Sequence, residues 1–181
     1  MRPVVWIGAL LVVFCPVSPV RSVAGPAVAA TFQHSGLAPL PAALTAVEAG
    51  LIERHRSPKA RVDESLKVAA TRLVSAVGSA RSGLYEPAAA EIVVFASLIS
   101  YANLITRAIP AEKKNDRENC LKKIEQAIFR QTPRLEAVIR DLPFEQRETV
   151  SRLGDEVRRI RLQALNDLLG GGSAIKVPEK R

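Results

Sequence analysis

Apolar side chains in the body of this chain recur at alternating steps of three and four residues, and this spacing limits the possible folds more than any other feature. The two longest seams of this kind are Val62, Leu66, Ala69, Leu73, Ala76 and Ala80, and Val150, Leu153, Val157, Ile160, Ala164 and Leu168. An α-helix places such residues on one face, whereas a β-strand needs alternation at every second residue. Aromatic residues make up only 4% of the chain, which leaves few of the usual strand formers. The sequence therefore predicts an all-α protein with coiled-coil-like seams.

Prolines and polar residues divide residues 41–169 into about five predicted helices. The first is predicted to run from Leu40 to about Arg56, because its apolar residues keep the helical spacing. Ser57 is predicted to cap the second helix, which begins at Pro58, since proline at the first helical position has no amide hydrogen to leave unpaired. Short turns between consecutive helices favour an up-and-down antiparallel bundle over residues 41–169.

Two later breaks and a glycine run divide the second part of this bundle. Gly83 is predicted to end the second helix, since glycine adopts the left-handed conformation of a helix C-terminus without steric cost. At Pro133 the chain is predicted either to kink or to restart a helix with Thr132 as its cap, because proline lacks an amide donor. The glycines at 170–172 are predicted to end the last helix and to begin a mobile basic tail over residues 170–181.

The segment over residues 88–109 is almost continuously apolar and has two interpretations. Its length and composition suit a membrane-spanning helix. Glu91, Asn103 and Arg107 lie within it, however, and charged groups in lipid are costly. A helix that is apolar almost all round is otherwise the buried centre of a bundle, and we expect this second arrangement.

The N-terminus has the features of a secretory signal peptide. Arg2 precedes an apolar run over residues 4–14, which is too short to span about 30 Å of hydrocarbon. Two small-x-small triplets follow this run, Ser22-Val23-Ala24 and Ala27-Val28-Ala29, and either is a candidate cleavage site. The second is preferred and predicts cleavage of residues 1–29, a flexible leader over residues 30–40, and export to the periplasm or exterior of a bacterium. Two alternatives stay open: an uncleaved N-terminal segment that anchors the protein in a membrane, and a lipoprotein modified at Cys15.

Residue patterns typical of catalysis, metal binding or cofactor binding are missing from the sequence. The two cysteines and two histidines are far apart, so we expect no zinc site, no internal disulfide and no cofactor. His55 lies between two arginines and has no partner that the sequence identifies. Cys120 is expected to pack as a small buried thiol. The chain is therefore predicted not to be an enzyme.

Positive charge exceeds negative charge, with 26 Lys+Arg against 18 Asp+Glu and a formal net charge of +8. Four arginines are concentrated on the last predicted helix: Arg152, Arg158, Arg159 and Arg161. Such a surface is a candidate contact for anionic lipid headgroups or another polyanion, although acidic residues on the same helix would partly neutralise it. Nucleic acid is not an expected partner, because export separates it from the protein and no aromatic platform accompanies the arginines.

The order of segments between residues 57 and 169 resembles exported bacterial helical-bundle domains of unknown function. The resemblance is carried by a leucine-containing helix, the Gly-Leu-Tyr-Glu turn at 83–86, an alanine-rich apolar helix, a charged helix and Thr-Pro-Arg-Leu-Glu at 132–136. It implies a helical architecture and export, and it carries over no catalytic residue.

These observations predict a non-catalytic interaction or scaffold module that acts by surface recognition. Leu66, Leu73, Val157 and Ile160 lie on the two longest seams, which either close the bundle or stay partly exposed to accept a partner helix or a second copy of the chain. The alternative function is peripheral binding to a membrane or polyanion through the arginines of the last helix. A third is that of a holdase or sensor in envelope stress.

Overall fold

The computed structural model describes residues 39–170, and most of them are helical. The helices, in chain order, are α1 (Ala46–Glu53), α2 (Pro58–Arg81), α3 (Tyr85–Arg107), α4 (Lys114–Asp141) and α5 (Phe144–Leu168). One turn of 3₁₀ helix, Ala111–Lys113, precedes α4. Since residues 39–170 contain no strand, the prediction of an all-α fold with about five helices is confirmed. The predicted signal peptide, nearly all of the leader and all but the first residue of the basic tail lie outside the described residues.

Consecutive helices run in opposite directions, as predicted, and polar side-chain pairs identify which helices are neighbours. The pairs that cross between the two halves of the bundle, or join α4 to α5, include Asp63–Lys123, Ser100–Glu156, Arg107–Gln163 and Glu125–Arg161. The bundle therefore consists of two antiparallel hairpins, α2–α3 and α4–α5. They are placed side by side so that α2 is next to α4 and α3 is next to α5. Each of these two pairs is parallel, and within residues 39–170 α2 and α5 make no contact.

The apolar helix α3 is the centre of this bundle. It contacts α2, α4 and α5, and Ile92, Phe95, Leu98 and Ile99 on it are among the fully buried side chains of the core. By length and composition alone, α3 is also long and apolar enough to cross a membrane. Its buried residues contact the other helices, as the interpretation of this segment as the central helix requires.

The start of the first helix was predicted too early. Helix α1 begins at Ala46, six residues after Leu40, because Thr45 and Glu48 form a reciprocal capping box. The Glu48 amide donates to the Thr45 side chain over 3.3 Å, and the Thr45 amide donates to the Glu48 carboxylate over 3.0 Å. Leu40 precedes the helix and packs against the core without being helical.

Two further predictions about helix ends are corrected by the structure. Helix α2 begins at Pro58, but Ser57 makes no side-chain capping hydrogen bond. Pro133 lies inside the continuous helix α4, so the chain does not restart there. The Thr132 hydroxyl donates to the carbonyl of Ile128 over 2.8 Å, one turn earlier, and therefore does not act as an N-cap.

Candidate functional site

A surface groove between α3 and α5 combines exposed apolar side chains with a buried polar group, and we call it the α3–α5 groove. Its volume is about 430 Å³. Helix α3 contributes Ser97, Ser100, Tyr101 and Leu104, helix α5 contributes Leu153 and Glu156, and Pro39 and Pro41 line it from the N-terminal segment. The parallel packing of α3 beside α5 creates this groove.

One face of α3 is left uncovered beside the groove. Val93, Ser97 and Leu104 are separated by four and seven residues, so they lie on the same side of the helix. Val93 and Leu104 are exposed, although most of the other large apolar residues of α3 are buried. The Ser97 hydroxyl donates to the carbonyl of Val93 over 2.8 Å, which keeps its polar group directed at the backbone. The face is therefore apolar and accessible.

The hydroxyl of Tyr101 is the polar group that the groove leaves unsatisfied. Tyr101 is only 3% exposed, and its hydroxyl has no hydrogen-bond partner among the described residues. An unpaired buried hydroxyl costs about 1–3 kcal/mol, so most such groups in proteins are satisfied. The hydroxyl itself is covered by the protein, so a ligand in the groove contacts other atoms of Tyr101 rather than this group.

Among residues 39–170, Glu156 is the one charged side chain that lines the groove. It accepts a hydrogen bond from the Ser100 hydroxyl over 3.3 Å, and it forms no ion pair with any residue between 39 and 170. A carboxylate beside an apolar surface favours a partner that carries a positive charge next to apolar side chains.

The structure separates the four arginines that the sequence grouped on the last helix. Arg152 pairs with Glu148, and Arg158 pairs with both Asp155 and Glu136. The side chain of Arg161 donates to Glu125 over 2.9 Å and lies 4.7 Å above the ring of Phe129 on α4.

Arg159 is exposed and is the only one of the four arginines without an ion pair among the described residues. Arg152 and Arg159 are exposed on α5, whereas Arg158 and Arg161 reach carboxylates on α4. The arginines are thus mostly neutralised by carboxylates.

The four seam residues proposed for partner contact lie in or against the core. Leu73, Val157 and Ile160 are buried, and Leu66 is partly buried and packs against the core. The two seams therefore close the bundle, and the surface available to a partner lies on other residues.

Titratable groups gather in two other places on the described chain. The guanidinium of Arg72 on α2 lies between Glu48 on α1 and Glu91 on α3, with Nε 2.7 Å from Glu48 and Nη1 2.9 Å from Glu91. Hydrogen bonding to Arg72, helped by Thr45, lowers the pKa of Glu48 to about 2. This cluster fastens α1 to the α2–α3 hairpin.

His55 has an acidic neighbour that the sequence did not identify, because its Nε2 lies 3.8 Å from a carboxylate oxygen of Glu64. Cys120 is buried, as predicted, and burial raises the pKa of its thiol. Within residues 39–170 no group of three or more His, Cys, Asp or Glu side chains is placed to hold a metal ion.

The sequence contained a weak indication of the α3–α5 groove. Hydroxyl residues interrupt the apolar run of α3 at 97 and 100, on the side of the helix that the structure leaves open. Tyr101 and Glu156 could not be paired with this site from sequence, because they lie 55 residues apart and meet only through the parallel packing of α3 and α5.

Comparisons of this chain with family models, with curated proteins and with solved structures find no match. The fold and the groove define the class as an all-α bundle with a surface cleft. A function for this chain therefore rests on its own residues and their geometry.

Proposed function

We propose that this protein is a non-catalytic interaction module that binds a protein partner through the α3–α5 groove. The observation that carries the proposal is the accessible apolar face of α3, with Val93 and Leu104 exposed beside a groove lined by Tyr101 and Glu156. An accessible apolar face beside a carboxylate has the composition of a recognition site rather than of a closed surface.

The partner segment is expected to carry apolar side chains next to a lysine or arginine. The apolar side chains would cover Val93 and Leu104, and the cation would face Glu156. A short amphipathic helix or an extended segment satisfies both requirements.

We further propose that the interaction takes place outside the cytosol of a bacterium, after removal of residues 1–29. The apolar run over residues 4–14 and the small residues that follow it support this proposal. N-terminal sequencing of the protein purified from an envelope fraction tests it. A chain that still begins at Met1 in the cytosol would contradict it.

Site-specific photocrosslinking in expressing cells tests the binding surface. A photoreactive phenylalanine analogue at Leu104 is expected to give a discrete adduct with the partner. The same analogue at Leu169, which is also exposed but lies at the end of α5, serves as the control. Equal adducts at both positions, or none at Leu104, would contradict the proposal.

Charge variants test the role assigned to Glu156. Glu156→Gln keeps an acceptor for the Ser100 hydroxyl but removes the charge, and it is expected to weaken the Leu104 adduct about tenfold. Glu112→Gln, at an exposed carboxylate away from the groove, is the matched control and is expected to leave the adduct unchanged.

A second function, peripheral binding to an anionic membrane or polyanion, is favoured by the exposed and unpaired side chain of Arg159. This second function is tested by measuring how the protein binds to phosphatidylglycerol vesicles at increasing salt concentration. Under this hypothesis binding falls steeply with ionic strength and Arg159→Gln weakens it, whereas recognition in the α3–α5 groove depends far less on salt. Absence of binding at low salt would exclude this second function.

A further inference from the structure

Three large apolar side chains are exposed on two turns of the bundle, and we call them the turn surface: Leu84, Tyr85 and Phe144. Phe144 is 79% exposed, Leu84 is 55% exposed and Tyr85 is 36% exposed. Leu84 and Tyr85 follow the end of α2, and Phe144 is the first residue of α5. None of the three belongs to the α3–α5 groove.

The two turns lie at the same end of the bundle. Helices α3 and α5 are parallel neighbours in a fixed register, because Ser100 pairs with Glu156 and Arg107 pairs with Gln163. The offset is 56 residues in both pairs. Continued to the start of the helices, this register places Phe144 level with Ala88, within about 6 Å along the axis of Leu84 and Tyr85. The three exposed side chains of the turn surface therefore lie at one tip of the molecule.

The backbone of the two turns is held in place. The guanidinium of Arg147 donates to the carbonyl of Arg140 over 2.9 Å and to that of Leu142 over 2.7 Å, and the Leu142 side chain is buried. Gly83 has a φ of +74°, which allows the chain to turn sharply after α2. Leu84 and Phe144 consequently stay exposed on ordered turns.

Charges around the turn surface are balanced. The last turns of α2 and α4 and the first turns of α3 and α5 carry three arginines and three carboxylates: Arg81, Arg140, Arg147, Glu86, Asp141 and Glu145. Among residues 39–170 none of these six side chains forms an ion pair. Of the six, only the Arg147 side chain makes hydrogen bonds within the described part of the chain, and it donates them to backbone carbonyls. Unpaired arginines and carboxylates side by side can interact with the phosphate and with the cationic group of a zwitterionic lipid headgroup.

We propose that the turn surface docks on the interface of a zwitterionic bilayer. Leu84 and Phe144 enter the boundary between headgroups and acyl chains, and Tyr85 lies at headgroup level, where amphipathic aromatic rings are enriched. Arg81 and Arg140 reach the lipid phosphates. Exposed apolar side chains on the turns at one end of a bundle suit a deformable lipid interface, whereas a folded partner would need a matching cavity. The groove on the side of the bundle stays accessible in this orientation, so this proposal is independent of partner binding there.

A local fluorescent probe tests this docking in the full chain. Trp6 is the single tryptophan of the protein, so Trp6→Phe combined with Phe144→Trp gives one tryptophan at the tip. Phosphatidylcholine vesicles with brominated acyl chains are expected to quench its emission and to shift it to shorter wavelength. The quenching reports only on the surroundings of residue 144, so attachment of the N-terminus to the vesicle does not produce the same signal.

The matched control places the tryptophan at Phe129 instead, an exposed aromatic position midway along α4 with 59% exposure. Quenching at 144 but not at 129 supports the proposal. Equal quenching at both positions, or none at 144, overturns it. Leu84→Ser in the Phe144→Trp background is expected to lower vesicle affinity about tenfold, and Leu169→Ser, at the opposite end of the bundle, is expected to leave it unchanged.

The same probe separates this docking from the use of the α5 arginines. Docking through the turn surface is expected to persist at high salt, because apolar insertion drives it. Quenching that requires phosphatidylglycerol and disappears with salt would instead assign the contact to charge, and the proposal would fail.

Discussion

Gly154 on α5 lies directly against Ile139 on α4, so that a methyl group added to Gly154 would lie 3.1 Å from Cδ1 of Ile139. Gly154 is buried and lies between apolar residues of the α5 seam. Glycine inside a helix costs about 1 kcal/mol relative to alanine. The close approach of α4 and α5 explains why glycine is nevertheless suited to this position.

Substitution of this glycine is expected to separate helix propensity from packing. Gly154→Ala gains about 1 kcal/mol of helix propensity but overpacks the interface at a cost of about 1–3 kcal/mol, so we expect a net loss of about 1 kcal/mol. Gly78→Ala, where a methyl group meets nothing within 4 Å, is the control and is expected to stabilise the protein by about 0.5–1 kcal/mol. Urea unfolding measures both.

Relief of the crowding is testable in a double variant. Ile139→Val removes the Cδ1 atom that Gly154→Ala would approach. The two substitutions together are expected to cost about 1 kcal/mol less than the sum of their separate effects. Strict additivity would mean that α4 and α5 do not approach closely at this point.

Acid is expected to weaken the attachment of α1 through Glu48. Its pKa is lowered from 4.5 to about 2 in the folded protein by the hydrogen bonds with Arg72. A group with a lowered folded pKa contributes stability above its unfolded pKa, and this contribution is lost as pH falls from about 5 towards 2. We expect the loss to be about 2 kcal/mol, since both side chains are mostly buried.

The measurement is the free energy of unfolding of the full chain at pH 7 and at pH 3. Glu48→Gln is expected to be less stable than wild type at pH 7 and to lose less stability on acidification. Glu148→Gln, which removes the carboxylate of an exposed ion pair with Arg152, should keep the wild-type pH profile. An unchanged profile in Glu48→Gln would show that the pKa of Glu48 is not depressed.

Pro133 is expected to limit the stability of α4. It lies inside the helix, where it removes one backbone hydrogen bond and crowds the carbonyl of Phe129, four residues earlier. Pro133→Ala restores that bond at an exposed position and is expected to raise the free energy of unfolding by about 2 kcal/mol. A loss of stability would mean that the α4–α5 packing requires the proline. Thermal unfolding followed by circular dichroism measures this change.

Cys120 is expected to be protected from thiol reagents in the folded protein. Its thiol is buried, and burial followed by the charge of Asp63 raises its pKa, so little thiolate is present at neutral pH. In a Cys15→Ser background, labelling of Cys120 is expected to be at least about a hundredfold slower in buffer than in denaturing urea. Equally fast labelling in both conditions would place Cys120 at an accessible site.

Local features of the fold followed from local sequence. Pro58 starts α2 and Gly83 ends it, since both effects depend on the backbone of a single residue. The start of α1 was predicted wrongly because apolar spacing continues upstream of Thr45, whereas the capping box determines where the hydrogen-bonded helix begins. The spacing also could not choose between a kink and a restart at Pro133. In the structure α4 continues through this residue, and buried residues of α4 lie both before and after it.

The sequence by itself determined that this chain forms amphipathic helices and roughly where they begin and end, because helical periodicity is a property of neighbouring residues. It favoured a central position for α3 through the apolar composition of that segment. Only the tertiary structure decided that the two hairpins stack with α3 beside α5, that Arg161 is bound to Glu125, and that Tyr101 and Glu156 share a groove. These relationships depend on side-chain shape and charge between helices far apart in sequence. Periodicity assigns each residue to a face of its helix and does not specify which other helix that face contacts.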